Sequence, residues 1–213
     1  NRGRTPLTLT VRATDDAGKN VATSAPVSIQ FAQENVEGAL YYWRVQGQVS
    51  TSSRIMRYDF GSSGGAPEAF LSMGGDNLPQ CVGCHALSRD GTKMVASLGG
   101  QNDGRIVYIN DMSKAKTDPS FFALKGDEDN RIQFASFNAD GTRFVAINGD
   151  REEDRNKLWF HDGTTGKRVD SIPLDYEPDH PDWSPDGNMI AFTHVGIHHT
   201  SQQSFSHSID LIT

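Results

Sequence analysis

Residues 81 to 85 of this 213-residue chain read "CVGCH". They hold the chain's only two cysteines, Cys81 and Cys84, with His85 directly behind. Two thiols and an imidazole in so short a span can do a limited set of things. The thiols can close on each other as a disulfide, as cysteines outside the cytoplasm usually do. They can join His85 in binding zinc, but such a site takes about four ligands and there is no second C-x-x-C to complete one. A dithiol redox motif at this spacing belongs in a βαβ context, whereas the sequence on both sides reads as strand. Finally, two thiols at this spacing can each add to a vinyl group on one edge of a porphyrin, and the next residue then offers its imidazole to the iron.

Cys81-Val82-Gly83-Cys84-His85 resembles the haem-attachment site of c-type cytochromes, on these five residues alone. The resemblance implies haem c as cofactor, with Cys81 and Cys84 as covalent anchors and His85 as proximal ligand to the iron. It also implies bacterial maturation outside the cytoplasm: periplasmic, outer-membrane-associated or extracellular. The Val-Gly filler is small enough for the backbone to turn tightly against the macrocycle. A haem iron with one histidine needs a second ligand for fast electron transfer, or an open position for catalysis. His180, His198 and His199 are the candidates for that ligand, with Met73 as a sulfur alternative. His198 and His199 sit in "VGIHHTSQQSFSH", a longer loop than its counterparts, and long insertions often carry function. His161 is expected at the surface and His194 at a strand edge.

The elements that position this motif repeat. "LSRDGTKMVASL", "FNADGTRFVAIN" and "WSPDGNMIAFTH" each join a bulky residue, an Asp-Gly pair and an apolar strand, and the pairs begin at Asp90, Asp140 and Asp186, about 50 residues apart. "IMRYD", "VYIND" and "LWFHD" follow the same period as a third element, and "IDLIT" stands where the next is due. Asp-Gly supplies the positive φ of a tight hairpin turn. Four antiparallel strands every 40 to 50 residues is the pattern of β-propeller blades. Aligned on these turns, Cys84-His85 occupies the position of Phe134-Ala135 and of His180-Pro181. That position is expected to be a junction loop between blades, at one mouth of the central channel.

At "HPDWSPDGNMIAFTH" the repeat is similar to the "WSPDG" class of TolB-like β-propellers, and the resemblance covers roughly residues 38 to 213. It implies an all-β fold: a partial propeller of about four blades over residues 36 to 213, the last incomplete, with more blades expected downstream in a larger chain. Residues 1 to 35 carry two alternating runs, "LTLTVRAT" and "APVSIQFA", expected as the end of an immunoglobulin-like β-sandwich or an edge ribbon.

Composition bounds the rest. Net charge is −7 with no strong basic block, which argues against nucleic acid. Mean hydropathy is −0.53, and no run approaches the roughly 20 apolar residues of a membrane helix. "KGDEDN" and "NGDREEDRN" are acidic loops expected as solvated turns, since neither matches a calcium-loop template. Tyr41, Tyr42, Trp43, Trp159 and Trp183 fall at strand positions and are expected in the core. The sequence therefore points to a monohaem c-type cytochrome with a redox partner protein. The alternatives are a catalytic haem with an open iron site, and a secreted binding module in which Cys81 and Cys84 form a disulfide.

Overall fold

The computed structural model describes residues 5–30, 37–45, 53–62, 65–72, 82–98, 105–114, 131–148, 152–197 and 205–212. These residues are all β, with no helix among them. The chain divides into two compact units, residues 1–39 with 59–63, and residues 40–58 with 64–213.

In the first unit, β1 (Leu7–Leu9) pairs antiparallel with β4 (Val27–Ile29), and β2 (Arg12–Ala13) pairs with β3 (Ala22–Thr23). The two pairs make one ribbon, turned at "DDAGKN". There the Asp15 carboxylate accepts from the backbone N–H groups of Ala17 and Lys19 at 3.1 and 2.6 Å. Gly18 takes the positive φ, 71°, that the turn requires.

The remaining strands form four successive antiparallel sheets. The first is β5 (Ala39–Arg44), β6 (Arg54–Asp59) and β7 (Glu68–Leu71); the second is β8 (Val82–Leu87), β9 (Met94–Leu98) and β10 (Arg105–Ile109). The third is β11 (Phe134–Phe137), β12 (Arg143–Ile147), β13 (Lys157–Asp162) and β14 (Arg168–Pro173). The fourth is β15 (Pro178–Trp183), β16 (Ile190–Ile197) and β17 (Phe205–Ile212). Among the described residues, only the third has all four strands of a blade. The opening strands β8, β11 and β15 lie side by side, β11 packing on both of the others.

This stacking explains the continuous apolar runs. β9 is buried at all five of its positions. Met94, Ala96 and Leu98 pack with Val82 of their own blade and with Ile55 and Leu71 of the preceding one, while Val95 packs with Phe137, Phe144 and Ala146 of the next. β12 divides likewise: Phe144 and Ala146 face backward, Val145 and Ile147 face forward onto Leu158, Ile190 and Phe192. A strand covered on both faces does not alternate in polarity. Each fully buried Leu, Ile or Phe contributes about 1.5–3 kcal/mol.

The Asp-Gly turns are three copies of one hydrogen-bonded loop. Gly91, Gly141 and Gly187 take φ of 70°, 68° and 77°. Asp90, Asp140 and Asp186 each accept from the backbone N–H two residues on, at 3.1, 2.9 and 3.1 Å. Ser88 Oγ, Asn138 Oδ1 and Ser184 Oγ each accept from the N–H that closes the loop, at 2.9, 3.0 and 2.9 Å. The expected tight turn is thus a longer hydrogen-bonded loop, in which the glycine alone of the Asp-Gly pair takes positive φ. Ser88 is buried. Ser88→Ala would leave the Lys93 N–H without this acceptor, so a loss of about 1–2 kcal/mol is expected in urea denaturation.

Three expectations are corrected. His161 is not a surface residue: it is fully buried, stacked on Phe144 with ring centroids 4.5 Å apart. The third strand of a blade is covered by its neighbour, so a histidine there is as enclosed as a leucine. Trp43 is 41% exposed and so is not a core residue, whereas Tyr41 and Trp183 are partly buried against core clusters. Within "NGDREEDRN", Asp154 is buried rather than solvated, with Arg168 Nη1 at 3.4 Å from its carboxylate. "KGDEDN" lies outside the described residues.

Candidate functional site

The described part of the cysteine motif lies in the opening strand of a blade, not in the junction loop before it. Val82 and Gly83 pair with Leu98 and Ser97, and Ala86 and Leu87 pair with Val95 and Met94. Cys84 and His85 therefore stand together against Ala96 alone, as the β-bulge of this strand. Cys84 takes φ of 41°, a left-handed conformation uncommon for a residue with a Cβ. Cys81 lies outside the described residues, as do Met73, His198 and His199.

The motif's filler residues face the core. Val82 is fully buried. A Cβ added at Gly83 would sit 3.3 Å from the Trp43 indole, so this glycine allows close approach of an aromatic ring of β5. His85 turns the same way. Its Nε2 lies 3.4 Å from the Tyr41 carbonyl oxygen, a long contact in which the nitrogen donates. Burial pushes the His85 pKa down and that contact partly offsets it, so the ring is neutral at pH 7.

The bulge recurs two blades on. Pro178 and Asp179 pair with His194 and Thr193, Asp182 and Trp183 pair with Ala191 and Ile190, and His180-Pro181 stands against Phe192. His180 takes φ of 44°. Cys84 precedes Asp90 by as many residues as His180 precedes Asp186, so the two strained residues are equivalent. Like Cys84, His180 is in a strand rather than a loop. In the blade between, Phe134 and Ala135 stay in regular register with Ile147 and Ala146.

His180 has a defined environment. Its side chain is 58% exposed, while its partner Asp179 is buried. Asp179 Oδ1 lies 3.2 Å from His180 Nδ1 and accepts from the His180 backbone N–H at 2.8 Å. The side-chain hydrogen bond between the ring and Asp179 raises the His180 pKa, against a smaller opposing effect of burial. The ring stacks on Phe134 with centroids 3.8 Å apart. His161 and His194 are differently placed. His161 Nδ1 donates to the Gly166 carbonyl at 2.9 Å inside the core. His194 stacks on Tyr176 at 3.8 Å, with Nδ1 3.5 Å from Asp210 Oδ2.

Residues in or directly after these positions line an open cleft. Ala86, Ala135 and Pro181, with Leu87, Phe137 and Asp182, line a space of about 450 Å3 between the three opening strands. Ser136 Oγ spans two of them, donating to Asp182 Oδ1 at 2.8 Å and accepting from the Trp183 N–H at 3.0 Å.

A covalently held haem would draw on Cys84 and His85 among the described residues. The bulge frees Cys84 and His85 from the ladder beside a cleft, which suits a side-chain tether. The neutral His85 imidazole is the form that binds a metal. One adjustment is required: Nε2 must leave the Tyr41 carbonyl and give up its proton to Nδ1 before it can ligate. With that rotation the residues fit the group. Asp179, Tyr41 and Trp43 are the site residues that sequence reasoning missed. The Asp beside His180 in "PDHPD" was a readable signal, whereas Tyr41 and Trp43 reach the motif only through blade packing.

No protein-family model matches the chain, and no curated protein does. Among solved structures, the chain is similar to TolB from Acinetobacter baumannii, with TM-score 0.47 and 18% identity over 87% of this chain and 43% of that one. It is similar to a putative 6-phosphogluconolactonase from Bacteroides uniformis, with TM-score 0.45 and 14% identity over 88% and 57% of the two chains. A putative TolB from Agrobacterium tumefaciens gives TM-score 0.43 and 16% identity over 88% and 54%. The chain thus spans about half the length of the structures it matches.

Proposed function

We propose that this chain is the haem-bearing part of a bacterial c-type cytochrome that works outside the cytoplasm, with electron transfer to a redox partner protein as its role. The observation that carries the reading is the C-x-x-C-H spacing with Cys84 and His85 displaced together from the β8–β9 ladder beside a cleft. Cys81 and Cys84 are the tether, each through one thioether, and His85 is the axial ligand through Nε2. Haem bound there supplies a one-electron iron couple whose potential depends on ligands and burial. Trp43 against Gly83 and the Tyr41 carbonyl support the strand that carries the tether. Leu87, Phe137 and Trp183 line the cleft beside the polar side chains of Arg89, Ser136 and Asp182.

The test is expression in a host with cytochrome c maturation, followed by a pyridine haemochrome spectrum and an intact mass. A c-type α band with the added mass of one haem is expected, and loss of both in the Cys81→Ser, Cys84→Ser double variant. A colourless protein two hydrogens lighter than its reduced form would replace this reading with a disulfide-closed binding module. The seat of His85 against Tyr41 favours that second reading.

A further inference from the structure

We propose that His180 supplies the second axial ligand to the iron through Nε2, and that Asp179 orients it through Nδ1. The inference rests on the haem reading above and names a part of the site that the C-x-x-C-H motif does not contain.

Three observations carry it. His180 occupies the same bulge position in its blade as Cys84 does two blades earlier, with the same left-handed backbone. Ala86, directly after the first bulge, and Pro181, within the second, line one cleft, with Ala135 between them. All three are small, which leaves room between the strands. Second, the Asp179 carboxylate is buried and lies within reach of Nδ1–H as an acceptor. In the neutral ring this leaves Nε2 with the lone pair, on a side chain that is 58% exposed. A carboxylate behind an imidazole, fixing its tautomer and raising its basicity, is the usual arrangement of a metal-bound histidine. Third, a histidine held at φ of 44° stores backbone strain, and such strain persists where the surrounding structure enforces it, often at functional sites. Phe134 supplies part of that enforcement by stacking on the ring.

His161 and His194 do not meet these conditions. His161 is enclosed in the core, and His194 is in the β16 ladder opposite Ser208.

The experiment uses the full chain matured with haem. His180→Gly is the principal variant, because glycine accepts positive φ without strain and the fold is then preserved, as far-UV circular dichroism checks. Wild-type ferric protein is expected to be low-spin and six-coordinate. His180→Gly is expected to retain covalent haem, to lose the low-spin signal by absorption and EPR, and to regain it when free imidazole is added. His180→Met is expected to remain six-coordinate at a higher midpoint potential, as methionine ligation raises it. Asp179→Asn should keep the low-spin spectrum but raise the potential, because the imidazole loses its anionic partner. An unchanged low-spin spectrum in His180→Gly overturns the proposal. So does loss of that spectrum in His198→Ala, His199→Ala or Met73→Ala instead. Haem present with a high-spin wild type overturns the His180 assignment alone, whereas absence of haem overturns the cytochrome reading with it.

Discussion

Gly163→Ala is expected to cost about 3 kcal/mol or more, the upper range for overpacking a well-packed site. Gly163 follows β13 in the turn to β14, and its N–H donates to the Thr142 carbonyl at 2.7 Å. A Cβ placed there would collide with the Gly141 carbonyl oxygen and lie 2.6 Å from the Thr142 carbonyl carbon. Both obstacles are backbone, so no side chain can swing aside. The turn must lift, and with it goes a link between blades: Tyr108 Oη donates to the Gly163 carbonyl at 2.7 Å. Gly187→Ala is the contrasting variant. Nothing lies within 4 Å of its added Cβ, and only the φ of 77° opposes it, so about 1 kcal/mol is expected. Urea midpoints of the two variants check the prediction, and equal losses would refute it.

The second large effect is acid sensitivity at His161. Burial is the main cause that lowers its pKa to about 4; the Arg168 charge adds to it and the Gly166 carbonyl opposes it. The Nε2 atom is buried with no hydrogen-bond partner, so a second proton on the ring would find no acceptor. In the unfolded chain the same group titrates near 6.5. Above about pH 6.5 both states are neutral and the stabilisation is whole. As pH falls toward 4 the unfolded chain takes up a proton that the folded chain refuses, and about 3 kcal/mol is lost across that window. His161→Gln stays neutral throughout and can still donate to Gly166. The stability gap between wild type and this variant should therefore narrow by about 3 kcal/mol from pH 7.5 to 4.5. His85, whose pKa is also lowered, and His180, whose pKa is raised, are present in both proteins and cancel. A constant gap would sink the argument.

Much of the fold was legible in the sequence because the repeat is written in turn chemistry. Asp90-Gly91, Asp140-Gly141 and Asp186-Gly187 mark three loops with the same hydrogen bonds. The continuous apolar runs of β9 and β12 mark strands covered on both sides. His161 is expected at the surface when "LWFHD" is read as an outer strand, whereas the stacking of blades encloses that position. The bulges were not legible at all. They are a property of pairing, and Phe134-Ala135 occupies the same repeat position without one. The placement of Cys84 and His85 out of the ladder, and of Asp179 behind His180, therefore emerged only from the three-dimensional structure.

The bulge itself has a consequence for how such an array diversifies. Where two residues face one, the pair is released from the one-to-one register that fixes the other rungs of its ladder, and its side chains pack on the preceding blade instead, His85 at Tyr41 and His180 on Phe134. Chemistry can then be exchanged at that slot one blade at a time: Cys84-His85 in one, His180-Pro181 in another. The rest of each repeat keeps its turn and its core. A functional position in an array of this kind is recognised by departure from its sister repeats at a single address.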